Sequence, residues 1–248
     1  MNHLDYCDEL DLEVERFADA LANADFAARV PSCPEWDVRD LTEHLGTVHR
    51  WAERLVRTRA TTRIRLADRE LGEIEVTDEW LRTGGHALSA TLRAADPDQS
   101  MWAWGADQHV RFWSRRQLHE TLVHRIDLEL ATGATSRVEP AIAADAIDEF
   151  FSNLSSDPDI EITSRPSHPS GERLQFRAKR GFGEWNVDLR PDGYSFVGEG
   201  GWFDAVVIGE PAEMLALVLR RRPLKECDVS VEGDAPLVEY WLARTAFL

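Results

Sequence analysis

Val38-Arg39-Asp40-Leu41-Thr42-Glu43-His44-Leu45-Gly46-Thr47-Val48-His49-Arg50-Trp51-Ala52-Glu53-Arg54-Leu55-Val56 reads as an amphipathic helix. Val38, Leu41, Leu45, Val48, Ala52, Leu55 and Val56 recur at three- and four-residue spacing and make one apolar stripe. Just upstream lies Val30-Pro31-Ser32-Cys33-Pro34-Glu35-Trp36-Asp37. Its prolines stop a preceding helix, and Asp37 is an N-cap for a helix over about 38–59. Leu10, Val14, Phe17, Ala18 and Leu21 predict the preceding helix, near 4–24. Trp80, Leu81, Leu88 and Leu92 predict another over 78–94. A fourth covers 114–132 and ends at Gly133, a residue suited to the left-handed turn after a helix. A fifth, over 139–154, starts at Glu139-Pro140, with proline in its first turn. The linker 60–77 is charged, and the linker 95–113 holds Trp102 and Trp104 and ends at Trp113. Consecutive long helices of this kind predict a bundle.

The texture changes over 156–172, where Ser155-Ser156-Asp157-Pro158 and Pro166-Ser167-His168-Pro169-Ser170-Gly171 read as a linker. Beyond it, Leu174, Phe176 and Ala178 and then Trp185, Val187 and Leu189 alternate as strands do, with Pro191-Asp192-Gly193 as a turn. Trp202 to Ile208 reads as a strand, Pro211 to Arg221 as a helix, Val229 and Val231 as a strand and Pro236 to Thr245 as a last helix. The expectation is an α+β chain of two domains: a helical bundle over 1–157 and a small α/β domain over 158–248. Both are large enough to build a core.

Composition narrows the function classes. Hydrophobic residues make up 43% and charged residues 29% of the 248, which suits a folded core. A net charge of −17 lacks the basic footprint that nucleic acid or an anionic membrane surface requires. Cys7, Cys33 and Cys227 fit neither a disulfide framework nor a cysteine zinc site. No apolar run approaches the length of a membrane span, and the first residues lack the pattern of a signal peptide. The expected compartment is the cytoplasm.

The chemistry is expected around Glu120-Thr121-Leu122-Val123-His124. Residues four apart on a helix stand one turn above each other, so a carboxylate oxygen and an imidazole nitrogen there can share a divalent ion. His49 is the candidate third ligand. At 100° per residue it falls about 40° from Leu45 and about 20° from Val56, inside the apolar stripe, whereas His44 sits about 100° from Leu45, at the edge. A core histidine satisfied by a hydrogen bond is the competing reading of His49. A solvated polar face is the competing reading of Glu120, His124 and Asp127, which lie opposite Leu118, Leu122, Ile126 and Leu130. Asp127 is placed to orient His124 from one turn away. His119 is read as surface. Arg220-Arg221-Arg222 is either an exposed helix end or an anion clamp.

Three stretches carry a family resemblance. Val30 to Leu41 followed by His44-Leu45, the run His119 to Asp127, and Leu217 to Pro223 with Val231-Glu232-Gly233-Asp234 resemble the mycothiol-dependent maleylpyruvate isomerase family. The resemblance implies a DinB-like up-and-down four-helix bundle and a C-terminal domain similar to sterol-carrier proteins. It implies a divalent metal, zinc, on His49, Glu120 and His124, and mycothiol as cosubstrate. It also implies an anionic or electrophilic unsaturated small molecule as substrate, contacted by Arg221, in a monomer or homodimer. The family usually has glycine-arginine where this chain has Arg220-Arg221. The reactions implied are cis–trans isomerisation or thiol transfer through a metal-activated thiolate. A non-catalytic ligand-binding protein with a structural metal and a thiol-independent metal hydrolase are the alternatives.

Overall fold

Strong caps define the helices of a computed structural model that describes residues 1–65, 75–154, 162–163, 165–168, 170–198 and 200–245. Asn2 caps α1 (His3–Leu21) and Asp37 caps α2 (Val38–Thr58). In each capping box the third helical residue, Asp5 or Asp40, reaches back to the cap N–H. Thr77 caps α3 (Asp78–Ala94). Helix α4 (Val110–Thr132) ends at Gly133 in the left-handed conformation. It begins four residues before the expected start, so Trp113 is a helix residue and not the end of a linker. Its indole N–H donates to the Trp102 carbonyl at 3.1 Å.

These four helices make one compact unit, Met1–Ser136, with α1 packed on α3 and α4, and α2 on α3 and α4. Phe17, Leu21, Leu41, Leu45, Leu81 and Leu128 form its fully buried core. Gly46 lets α2 and α3 approach closely, since a Cβ there would lie 2.1 Å from the Trp80 ring. Helix α4 is covered on nearly every side. Besides its leucines it buries Ser114, Gln117, His119, Thr121, His124, Arg125 and Asp127. The polar side of this helix is therefore not a solvated face, and His119, expected at the surface, is buried beside Tyr6.

The second compact unit is Arg137–Leu248. It holds α5 (Pro140–Leu154), β1 (Glu172–Ala178), β2 (Gly183–Arg190), β3 (Gly193–Phe196), β4 (Ala205–Gly209), α6 (Pro211–Val218), β5 (Val229–Gly233) and α7 (Ala235–Leu242). The sheet order is β3-β2-β1-β4-β5; β1 and β4 run parallel and the other pairs antiparallel. Helix α5 belongs to this unit and not to the unit Met1–Ser136. Phe150 and Phe151 pack edge-on or stacked against Trp185 and Trp241, and the Trp185 indole donates to Asp148 at 2.6 Å. Amphipathic periodicity shows that a helix needs a partner, not which partner it takes. The boundary expected at 157/158 lies outside the described residues.

Helix α6 stops three residues before its expected end because Arg220 takes φ +57°. Arg221 N–H then closes the turn on the Ala216 carbonyl at 2.8 Å. Arg220 thus holds a left-handed backbone with a side chain attached. Arg220→Gly is expected to raise stability by up to about 1 kcal/mol, read from urea unfolding. A lower stability would contradict the turn's assignment.

Candidate metal centre

His44 from α2 and Glu120 and His124 from α4 converge. One ligand atom from each lies within 4.8 Å of those of the other two. Glu120 Oε1 lies 3.4 Å from His44 Nε2 and 3.2 Å from His124 Nε2. The His44 and His124 rings stand edge to face, 5.1 Å apart. On the far side of its ring, His124 Nδ1–H donates to Asp127 Oδ2 at 2.9 Å. That bond fixes the tautomer and leaves Nε2 directed at the cluster. Arg116 donates to the other Glu120 oxygen at 3.1 Å.

The sequence expected His49 as the third histidine, and the structure brings His44 to the cluster instead. His49 is fully buried, and its Nε2–H donates to Thr121 Oγ1 at 2.9 Å. The Thr121 hydroxyl is itself spent as a donor to the Gln117 carbonyl. His49 thus stands in the core position its apolar stripe foretold. His44, at the stripe's edge, keeps 29% side-chain exposure, Glu120 23% and His124 9%. An open cation site needs such an entry path.

The donor set fits zinc. Two imidazole nitrogens and one carboxylate oxygen form the His₂Glu set of catalytic zinc, with a fourth position open to solvent or substrate. Burial opposes charge on His124, but Glu120 and Asp127 outweigh it and hold its pKa up at about 9. Burial likewise opposes charge on Glu120, and His124, His44 and Arg116 keep it well below the usual carboxylate range. The cluster thus stabilises positive charge at its centre.

His49 behaves in the opposite way. Burial pushes its pKa down to about 3. The unfolded chain, with an ordinary histidine near 6.5, takes up the proton first as pH falls. Stability from this residue is therefore intact above about 6.5 and lost between about 6.5 and 3. With chelator present, wild type is expected to lose about 2 kcal/mol through His49 between pH 6.5 and 5, and His49→Gln to lose less over that range, read from urea unfolding. Equal losses in both proteins would contradict a neutral, buried His49.

Other expected groups lie elsewhere. Arg221 follows α6, half-buried, with its guanidinium donating to the Leu219 carbonyl at 2.8 Å. Arg222 pairs with Glu213 at 2.6 Å, which accounts for it structurally. None of the three cysteines is in a disulfide, and burial pushes the Cys7 and Cys227 thiols up to about 11. No helix among the described residues is long and apolar enough to cross a membrane.

Residues 7–129 match the family described as the mycothiol maleylpyruvate isomerase N-terminal domain. Among solved structures, the mycothiol-dependent maleylpyruvate isomerase aligns over 95% of both chains with TM-score 0.59 and 13% identity. A crystal structure of a histidine-to-alanine variant of that enzyme aligns over 95% of both chains with TM-score 0.61 and 13% identity. At such identity the likeness is one of fold. No curated protein matches by sequence. Through residues 7–129, the chain belongs to the mycothiol maleylpyruvate isomerase N-terminal domain family.

Proposed function

We propose that this protein is a metal-dependent enzyme that uses mycothiol, with His44, Glu120 and His124 holding one divalent ion, zinc by donor chemistry. The observation that carries the reading is the convergence of these three donors, with His124 oriented by Asp127. A zinc ion there would supply Lewis acidity that makes a thiol a thiolate near neutral pH. The chain's own residues do the positioning. His44 and His124 present Nε2, Glu120 presents Oε1, and Asp127 holds the Nδ1–H of His124.

The reaction class is cis–trans isomerisation or thiol transfer on an electrophilic unsaturated small molecule. Arg221 is the proposed contact for an anionic group of that substrate. Its side chain is a fixed-charge donor suited to a carboxylate. The four N-terminal helices are read as a DinB-like bundle and the second unit as similar to sterol-carrier proteins.

The test is turnover of an activated cis-alkene by zinc-loaded protein, with mycothiol, with no thiol, and after chelation. Turnover requiring both thiol and metal is the expected result. Turnover that persists without thiol favours metal-assisted hydrolysis. None under any condition, with metal bound, favours a ligand-binding protein with a structural ion.

A further inference from the structure

The loop between α1 and α2 touches both histidines of the centre without supplying a ligand. Ser32 Oγ–H donates to Asp127 Oδ1 at 2.5 Å, while Asp127 Oδ2 accepts from His124 Nδ1–H at 2.9 Å. Asp127 is fully shielded from solvent. One buried carboxylate therefore ties a loop hydroxyl to the imidazole. From the same loop, the Trp36 ring lies 4.8 Å from the His44 ring and 6.4 Å from the His124 ring. The loop is closed on itself: Val30 N–H donates to the Trp36 carbonyl at 3.1 Å, Cys33 N–H to Val30 at 3.0 Å, and Trp36 N–H to Cys33 at 2.8 Å. Val38 N–H ties its far end to the Ala28 carbonyl at 3.0 Å.

These contacts have a common consequence. A carboxylate held at one oxygen can still rotate about its last torsion. One held at both oxygens presents a fixed acceptor, and the imidazole it binds keeps its direction. Partners one bond beyond a ligand are known to set affinity through that direction. Among the described residues no carboxylate bonds the outer nitrogen of His44, and the indole of Trp36 is what limits its ring.

We propose that Ser32 and Trp36 are positioning residues of the metal centre, Ser32 aiming His124 through Asp127 and Trp36 restraining the His44 ring, so that one short loop sets the direction of both histidines. The proposal rests on the reading of His44, Glu120 and His124 as a metal site.

The test is zinc affinity, by competition with a chromophoric chelator, for wild type, Ser32→Ala, Ser32→Thr, Trp36→Leu and Trp36→Phe. Thermal unfolding of each metal-free protein and the visible bands of each cobalt-loaded protein are recorded alongside. Ser32→Ala and Trp36→Leu are expected to bind zinc about 10-fold more weakly and to shift the cobalt bands. Ser32→Thr, which keeps the hydroxyl, and Trp36→Phe, which keeps a ring, are expected to stay near wild type, and metal-free melting of Ser32→Ala to be unchanged. Tight binding by wild type with undiminished affinity in Ser32→Ala and Trp36→Leu overturns the positioning role and leaves the centre standing. So does a loss that Thr fails to rescue or that follows a fall in metal-free melting. Failure of wild type itself to bind zinc overturns the centre.

Discussion

His44→Ala, Glu120→Ala and His124→Ala are each expected to weaken zinc binding by more than about 100-fold, with helical content unchanged. Changes one bond beyond the ligands already cost 10–100-fold, so removing a ligand costs at least as much. The fold is expected to survive because none of the three side chains, buried His124 included, belongs to the apolar core cluster of the helical unit. His44 and Glu120 are part-exposed, and the fully buried residues of α2 are its aliphatic stripe together with Thr42, Thr47 and His49. Glu120→Ala carries a second consequence. Glu120 faces His44, His124 and Arg116 together, so its loss leaves three basic groups facing one another. Its metal-free form is expected to melt lower than those of the two histidine variants. Chelator competition and circular dichroism read both effects. Retention of wild-type affinity in any of the three removes that residue from the site.

Arg125→Ala is expected to destabilise the helical unit by about 3–5 kcal/mol, the usual cost of stranding a buried charge. Arg125 Nε donates to Glu13 Oε2 at 2.6 Å and Nη1 to both Glu129 oxygens at 2.8 Å, with the Arg125 and Glu13 side chains only 2% and 3% exposed. After truncation Glu13 keeps Arg16, which is half-exposed and a weak substitute. Glu129 is less buried and reaches water more easily. The pair joins α1 to the helix that carries Glu120 and His124, so its loss also loosens the frame of the centre. The double change Glu13→Leu with Arg125→Met removes both charges and fills the space with apolar atoms. It is expected to recover most of the loss. Urea unfolding checks this. A single variant within about 1 kcal/mol of wild type would contradict the burial of the pair.

Much of this was legible in the sequence, and the failures have physical causes. Asp37, Gly133 and Pro140 mark helix ends because caps act locally. The core of α2 follows from its stripe. His44 was hidden by the same reasoning that found the stripe. Burial argues for a hydrogen-bonded core histidine, and His49 is bonded through Nε2 to Thr121, while its buried Nδ1 has no hydrogen-bond partner among the described residues. A ligand that shares an open site belongs at the stripe's edge, where apolar packing meets solvent, and His44 held that position. The polar side of α4 resembled a solvated face because periodicity ranks faces by hydrophobicity. It cannot count how many neighbours a central helix has, and α4 has α1, α2 and α3. Helix α5 was placed with the wrong unit for a related reason. Its aromatic residues meet Trp185 and Trp241, which lie far along the chain. The left-handed Arg220 left no local mark, because arginine does not announce positive φ as glycine does.

The most direct test is the zinc content of His44→Ala set beside that of His49→Gln, both purified without chelator and verified as folded. The account predicts about one zinc per chain in His49→Gln and in wild type, and none in His44→Ala. A metal-free His49→Gln beside a fully loaded His44→Ala would contradict it and return the third ligand to the buried stripe of α2.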